Sequence, residues 1–112
     1  MIIKIFEFLQ DNGIDVYFVG QHQGECKKPY IVVKDDGANS LDGKVGKGYI
    51  DLIFFVPENK FTQCELFKKT VKEFMKEFKD ARYTGNETGI VIDNEKKALT
   101  FSVLYESYKR LI

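Results

Sequence analysis

The chain has 112 residues, which is enough for one domain with a single core. Apolar residues make up 44% of it and charged residues 30%, a composition typical of a folded protein rather than a disordered one. Lysine and arginine together number 17, as do aspartate and glutamate, so the formal net charge is zero. This balance argues against a general nucleic-acid binder, which needs excess positive charge, and no sequence-specific nucleic-acid binding is expected.

The distribution of apolar residues and cysteines excludes further classes. No uncharged apolar run approaches the roughly 18 residues that cross a bilayer, so no membrane partner is expected. Charges lie inside the apolar start, residues 1–7, and no small-residue cleavage site follows, so a secretion signal is not expected. The two cysteines, Cys26 and Cys64, do not make a disulfide framework, which indicates a reduced cytoplasmic setting.

The predicted elements begin with a short helix and two strands. Apolar residues at helical spacing run from Ile2 to Leu9, and Gly13 can end this helix in a left-handed conformation. The β-favouring residues that follow predict a strand over 15–19. A second strand is expected at 30–34, and its unbroken apolar run predicts burial on both faces.

A glycine-rich segment precedes the next strand and a helix. Residues 35–48 contain four glycines and little that could be buried, so they are expected to form a long mobile loop. Residues 49–56 show the strongest strand pattern of the chain. Residues 61–80 predict a long amphipathic helix with one face on the sheet, and Thr62 and Glu65 have the spacing of a capping box.

The C-terminal part predicts a hairpin and completes the fold. Strands are expected at 89–93 and 97–107 around a turn at 94–96, with alternate residues of the last strand facing the core. The predicted order is α-β-β-β-α-β-β in a single domain, residues 1–112. This is an α+β fold in which one long helix packs on a face of a mostly antiparallel sheet beside a short N-terminal helix.

Candidate catalytic groups are few. His22 and Cys26 share one polar loop, and a neighbouring imidazole can promote a thiolate, although a plain solvated loop explains them more simply. Asp35, Asp36 and Asp51 weakly match a Mg²⁺-dependent nuclease, although turn formation explains the loop aspartates better. No catalytic residue, metal or cofactor is therefore predicted, and these two enzyme classes stay as the lesser alternatives.

A resemblance to a family of phage proteins rests on the order of features and on several loop residues. The segments that carry it are 16–18, 21–26, 29–35, 49–57, the predicted helix 61–80 and Thr84-Gly85-Asn86-Glu87-Thr88. In these segments the chain resembles the tail terminator, or tail completion, proteins of long-tailed bacteriophages and phage-tail-like bacteriocins. The resemblance covers nearly the whole chain. Other head-tail connectors and minor capsid proteins share the layout and are the alternative.

The resemblance implies a structural virion protein that is not an enzyme and assembles in the cytoplasm of a bacterial host. Tail terminators of this kind form a hexameric ring on the tail tube, stop its polymerisation and provide the surface for head-tail joining. In a contractile tail the ring also meets the sheath. The expected partners are further copies of the chain, the tail tube protein, and sheath and neck or head-completion proteins. Zero net charge, ten Phe and six Tyr independently favour self-association.

Residues 36–47 are the predicted interface. They cannot form a core of their own, so we expect them to become ordered against a neighbouring subunit or the tail tube. The predicted contact residues are Asp36, Asn39, Leu41, Lys44 and Lys47, with Leu41 as the apolar anchor and the lysines as rim charges. Two alternatives remain open: a surface loop without contacts, and a regulatory module that binds another protein by strand addition.

Overall fold

The fold combines a six-stranded mixed sheet with two helices, in a computed structural model that describes residues 2–40 and 45–110. The elements in chain order are α1 (Ile2–Asp11), β1 (Val16–Phe18), β2 (Tyr30–Ser40), β3 (Val45–Pro57), α2 (Gln63–Met75), β4 (Arg82–Glu87), β5 (Val91–Asp93) and β6 (Ala98–Arg110). The helices are segregated on one side of the sheet, so the expected α+β class is confirmed.

The sheet is built around one long antiparallel pair. The strand order is β1-β2-β3-β6-β4, and β5 pairs with the same outer edge of β6 that β4 occupies further along. β3 and β6 pair without a register shift from Val45 opposite Arg110 to Pro57 opposite Ala98. β1 pairs with β2 in parallel, whereas the other described pairings are antiparallel.

The core lies between the helices and one face of the sheet. Ile5 and Leu9 of α1 are fully buried there, as are Val71 and, nearly so, Met75 of α2. Alternate strand residues complete this layer: Ile31 and Val33, then Ile50, Leu52, Phe54 and Val56, then Leu99, Phe101, Val103 and Tyr105. The alternation predicted for the last strand is thereby confirmed, because a period of two sends these side chains to one face.

The opposite face of the sheet is covered at one end by the loop that follows β1. Cys26 of this loop is buried against Tyr30, Phe55 and Ala98, and the ring of His22 stacks on Tyr30 with centroids 3.9 Å apart. Within the described residues, the remainder of this face is what we call the open face. Its outward residues are Val32, Lys34, Asp36, Lys47, Tyr49, Asp51, Ile53, Ser102, Leu104 and Glu106.

The predicted long loop at 35–48 is wrong. β2 continues to Ser40 and β3 begins at Val45, so both flanks of this segment are strands. Gly37 has a φ of 93° within a β-bulge, and its N–H donates to Asp35 Oδ1 over 2.7 Å. The lack of apolar residues pointed to a loop, but strand pairing satisfies the backbone here without needing a core.

The predicted single long helix is also wrong. α2 spans 13 residues rather than the 20 of segment 61–80, and α1 has 10, so the two helices are of similar length. The N–H of Phe78 donates to the carbonyl of Met75, a three-residue bond that closes a tighter turn after the helix. The Phe78 ring then packs on Phe8 of α1 at 5.2 Å between centroids. Neither described helix is long and apolar enough to cross a membrane.

The structure also differs from the sequence prediction at the start of α2 and at β4. Thr62 occupies the N-cap position of α2 but has helical backbone angles and makes no side-chain cap bond, so the expected capping box with Glu65 does not form. Strand β4 was not expected at all. All its residues except Thr84 are exposed, so it lacks the alternation of apolar and polar residues that identifies a strand.

Candidate assembly surface

Strands β2, β3 and β6 continue past the core as a three-stranded extension. The core ends at Val33 in β2, Ile50 in β3 and Tyr105 in β6. We call the continuation the arm, which comprises residues 34–40, 45–49 and 106–110. The molecule is accordingly elongated, at 47 × 26 × 23 Å, and its radius of gyration of 14.5 Å exceeds the value of about 13 Å for a compact chain of this size.

Three of the five predicted interface residues lie on the arm. Asp36 is exposed on β2, and Asn39 of β2 is the register partner of Lys47 on β3. Leu41 and Lys44 lie outside the described residues. The structure therefore places Asp36, Asn39 and Lys47 on neighbouring paired strands instead of on one loop.

Both outer edges of the arm are without a paired strand among the residues that the structure describes. β1 pairs with β2 only at residues 31–33, so the edge of β2 is open from Lys34 onward. β4 pairs with β6 only between Val103 and Glu106, so the edge of β6 is open from Ser107 onward. Open strand edges present rows of backbone donors and acceptors that another chain can pair with.

An acidic cluster lies on the open face at the base of the arm. Lys34 Nζ is 3.4 Å from Asp36 Oδ1, and Lys34 is the cross-strand partner of Asp51. Burial, followed by a hydrogen bond and repulsion from Asp36, raises the pKa of Asp51 to about 6, against the opposing effect of Lys34. Two carboxylates thus share one ammonium group, and one of them binds a proton close to neutral pH.

The substitution Asp51→Asn is expected to raise the free energy of unfolding at pH 8 by about 1 kcal/mol. The pKa of Asp51 is about 6 in the folded protein and 3.8 as its ordinary value. The stability that protonation contributes is therefore complete below pH 3.8 and is lost as pH rises through 6. Urea unfolding from pH 4 to pH 8 measures this, and the same loss of stability in variant and parent would contradict it.

The same aspartates were the candidate ligands of the nuclease alternative. Among residues 2–40 and 45–110, no group of three or more His, Cys, Asp or Glu side chains is arranged to hold a metal ion. Asp35 accepts the bond from Gly37 described above, which is the turn-forming role that the sequence favoured over a nuclease site.

A second ionic cluster lies beside the first and joins β3 to β6 and β4. Glu106 of β6 forms ion pairs with Lys47, at 3.5 Å from Nζ to Oε2, and with Arg82, at 3.7 Å from Nη2 to Oε1. Tyr49 is the register partner of Glu106, so this cluster and the acidic one are both at the arm end of the open face. The two clusters meet on β3, where Lys47 lies four residues from Asp51.

His22 and Cys26, the candidate base and nucleophile, lie beside an aromatic stack. His22 stacks on Tyr30, which stacks on Phe55 at 4.8 Å, while Cys26 Sγ donates to the carbonyl of Lys28 at 3.3 Å. Burial raises the pKa of the Cys26 thiol to about 11 and lowers the pKa of His22. An activated nucleophile needs a lowered thiol pKa beside a protonated imidazole, so the electrostatics here oppose that chemistry.

Glu87 on β4 is the centre of an ionic group that the sequence did not reveal. It accepts from Lys72 Nζ at 2.6 Å, from Lys68 Nζ at 3.0 Å and from the hydroxyl of Tyr83. The bond from Lys72, followed by that from Tyr83, lowers the pKa of Glu87 to about 2. This group ties α2 to β4. Lysines interleaved with glutamates are typical of a solvated helix face, and β4 was not predicted as a strand.

Comparison with models of known protein families gives no match, and comparison with curated protein sequences gives none either. The features that bear on function are therefore the order of elements described above and the geometry of the arm and the open face.

Proposed function

We propose that the chain is a structural virion protein: a tail terminator that forms a hexameric ring on the tail tube and joins it to the neck, head or collar. The arm is the observation that carries the proposal. It extends three paired strands beyond the core and leaves two different edges open to another chain. Contacts between two different surfaces of a subunit produce a closed ring when the rotation between neighbours closes.

The irregular edge of β2 supports a head-to-tail contact, because it differs from the edge of β6. β2 has a register shift between Asp35 and Ala38, whereas β6 pairs with β3 without one. The bulge at Gly37 twists the edge of β2, a feature that restricts pairing with indiscriminate partners.

The family resemblance supplies the remaining partners. In a tail terminator one side of the ring meets the tail tube, and the other meets neck or head-completion proteins, with the sheath in contact where the tail contracts. The contacts that we propose for the neighbouring subunit or the tube are Asp36, Asn39 and Lys47 of the arm, together with Leu41 and Lys44 outside the described residues. Other head-tail connectors share the layout and differ in their position along the particle.

Protein identification and imaging of purified particles test the proposal. The particles are prepared from the bacterium that carries the gene, and the tail tube protein serves as the internal control for recovery. We expect the chain as a ring of six copies at the head-proximal end of the tail. Its absence from particles that contain the tube protein would refute a virion role, and a position within the capsid would refute the terminator assignment.

A further inference from the structure

A groove lies between the C-terminal end of α2 and strand β4, on the helix side of the sheet. Its volume is about 200 Å³, below the roughly 300 Å³ at which sites for cofactors and drug-sized ligands begin. The residues that give it an apolar lining are Met75, Phe78, Ala81, Tyr83 and Tyr105. The groove therefore suits a single apolar side chain better than a whole small molecule.

The charged residues that line this groove are all basic, namely Lys72, Lys76, Lys79 and Arg82. Lys79 Nζ donates to the carbonyl of Lys76 at 3.4 Å, and no carboxylate among the described residues forms an ion pair with it. The exposed acidic residues of the same segment, Glu77 and Asp80, do not line the groove. The lining is therefore complementary in charge to an acidic ligand.

The ion pairs around the groove leave its cations incompletely neutralised. Two of the cations share their carboxylate with a second lysine, in the sets Lys68–Glu87–Lys72 and Lys47–Glu106–Arg82. Lys76 pairs with Glu73 at 3.1 Å, but both side chains are mostly exposed, and such a pair contributes little and exchanges readily with other partners. A carboxylate from outside can thus bind here without breaking a buried ion pair.

The hydroxyl of Tyr105 is a further group in the groove that lacks a partner. Tyr105 is only 3% exposed, and its hydroxyl makes no hydrogen bond with any residue that the structure describes. Burial raises the pKa of Tyr105 to about 12, so the hydroxyl is protonated and able to donate at neutral pH. A buried donor without an acceptor is costly, and a ligand oxygen in the groove removes that cost.

A nucleic acid matches these features less well than an acidic peptide does. Lys72 Nζ lies over the ring of Tyr83, 4.3 Å from its centroid, so this face of the ring cannot stack on a base. Glu65 and Glu73 lie among the lysines further along α2, where they repel a continuous phosphate backbone. A short peptide contacts the groove alone and avoids both glutamates.

We propose that this groove binds a short acidic segment of another protein, which places one aromatic or aliphatic side chain on the apolar lining and its carboxylates on Lys76, Lys79 and Arg82. The Tyr105 hydroxyl donates to an oxygen of the same segment. The contact uses neither of the open strand edges of the arm. It is therefore separate from the ring of the proposed function, and either proposal can fail without the other.

Isothermal titration calorimetry of the full chain with the blocked pentapeptide Asp-Glu-Phe-Asp-Glu tests the ligand class. We expect a Kd of about 100 µM at low salt, which corresponds to one buried side chain and a few exposed ion pairs. A peptide with Ser in place of Phe, and one with Asn and Gln in place of the acids, should each bind roughly tenfold more weakly. An uncharged peptide that binds as tightly as the acidic one would overturn the proposal.

Two substitutions locate the binding site. Lys79→Glu is expected to weaken binding of the acidic peptide roughly tenfold, and Tyr105→Phe, which removes only the hydroxyl, roughly fivefold. Lys60→Glu makes the same charge change at an exposed position before α2, is the matched control, and should leave the affinity unchanged. Equal weakening by Lys60→Glu and Lys79→Glu would show that net charge alone attracts the peptide, and would overturn the site.

Two further measurements on the parent protein need no substitution. Amide NMR shifts on peptide addition should be largest at Ala81 and Tyr83, and shifts confined to other segments would contradict the proposal. An oligothymidylate of ten nucleotides is expected to bind more weakly than the acidic peptide. Tighter binding of the oligonucleotide, with amide shifts at the same two residues, would assign the groove to nucleic acid instead.

Discussion

Replacing residues 39–47 by Asn-Gly is expected to abolish ring formation and incorporation into particles while the subunit remains folded. The deleted segment contains four of the five predicted interface residues, Asn39, Leu41, Lys44 and Lys47. It contains none of the residues of the main core, which ends at Val33 and Ile50 on these strands. The change therefore separates assembly from folding.

The register of the arm makes this replacement compatible with the sheet. Ala38 and Gly48 are paired directly across β2 and β3, so a two-residue loop joins positions that are already opposite each other. Asn-Gly favours the type I′ turn that suits the twist of such a hairpin. The strand pairs that are lost, Asn39 with Lys47, Ser40 with Gly46 and residues 45–47 with the end of β6, lie outside the core. The length of the closing loop affects stability only weakly, and we expect the free energy of unfolding to change by no more than about 1 kcal/mol.

Urea unfolding of the purified subunit and genetic complementation of a strain lacking the gene provide the two measurements. Leu41→Ser is the companion variant, because it keeps the length of the arm and removes only the proposed apolar anchor. It is expected to reduce incorporation less than the shortened arm does. A shortened protein that still enters tails of normal length would show that the arm is not the interface.

The helices and strands that could be predicted from the sequence are those in which the spacing of apolar residues indicates a buried face. The N-terminal helix, β1 and the start of β2 lie where their apolar spacing placed them, and the alternate residues of β6 face the core. The arm was missed because its strands are polar and are held by pairing with one another. β4 was missed for the same reason, since a mostly exposed strand has no burial pattern to read.

At the candidate site, the residue types could be predicted from the sequence, but their contacts depend on the tertiary structure. Asp36 and Asp51 were paired in the sequence as possible metal ligands, and the structure does bring them together, but as neighbours on an open sheet face with Lys34. Their 15-residue separation becomes a cross-strand contact only because β2 and β3 pair antiparallel in this region. The partners of Glu87 come from α2 and β4, and no local pattern links those segments.

Glu87→Gln is expected to lower the free energy of unfolding at pH 7 by about 2 kcal/mol. The lowered pKa of Glu87, about 2 against an ordinary 4.5, sets an upper limit of about 3 kcal/mol for the stabilisation, and solvent screening at a side chain that is 22% exposed reduces it. The amide of glutamine can still accept a hydrogen bond, but it cannot balance the charges of Lys68 and Lys72.

The pH dependence of stability identifies the carboxylate as the cause of this loss. Because the folded pKa of Glu87 lies below its ordinary value of 4.5, its contribution is complete above pH 4.5 and is lost as pH falls toward 2. Denaturant unfolding of parent and variant should therefore differ by about 2 kcal/mol at pH 7 and converge by about pH 2. Glu77→Gln, at an exposed position just after α2, is the control and should follow the parent. A constant difference between Glu87→Gln and the parent from pH 7 to pH 2 would mean that lost packing, and not the carboxylate charge, links α2 to β4.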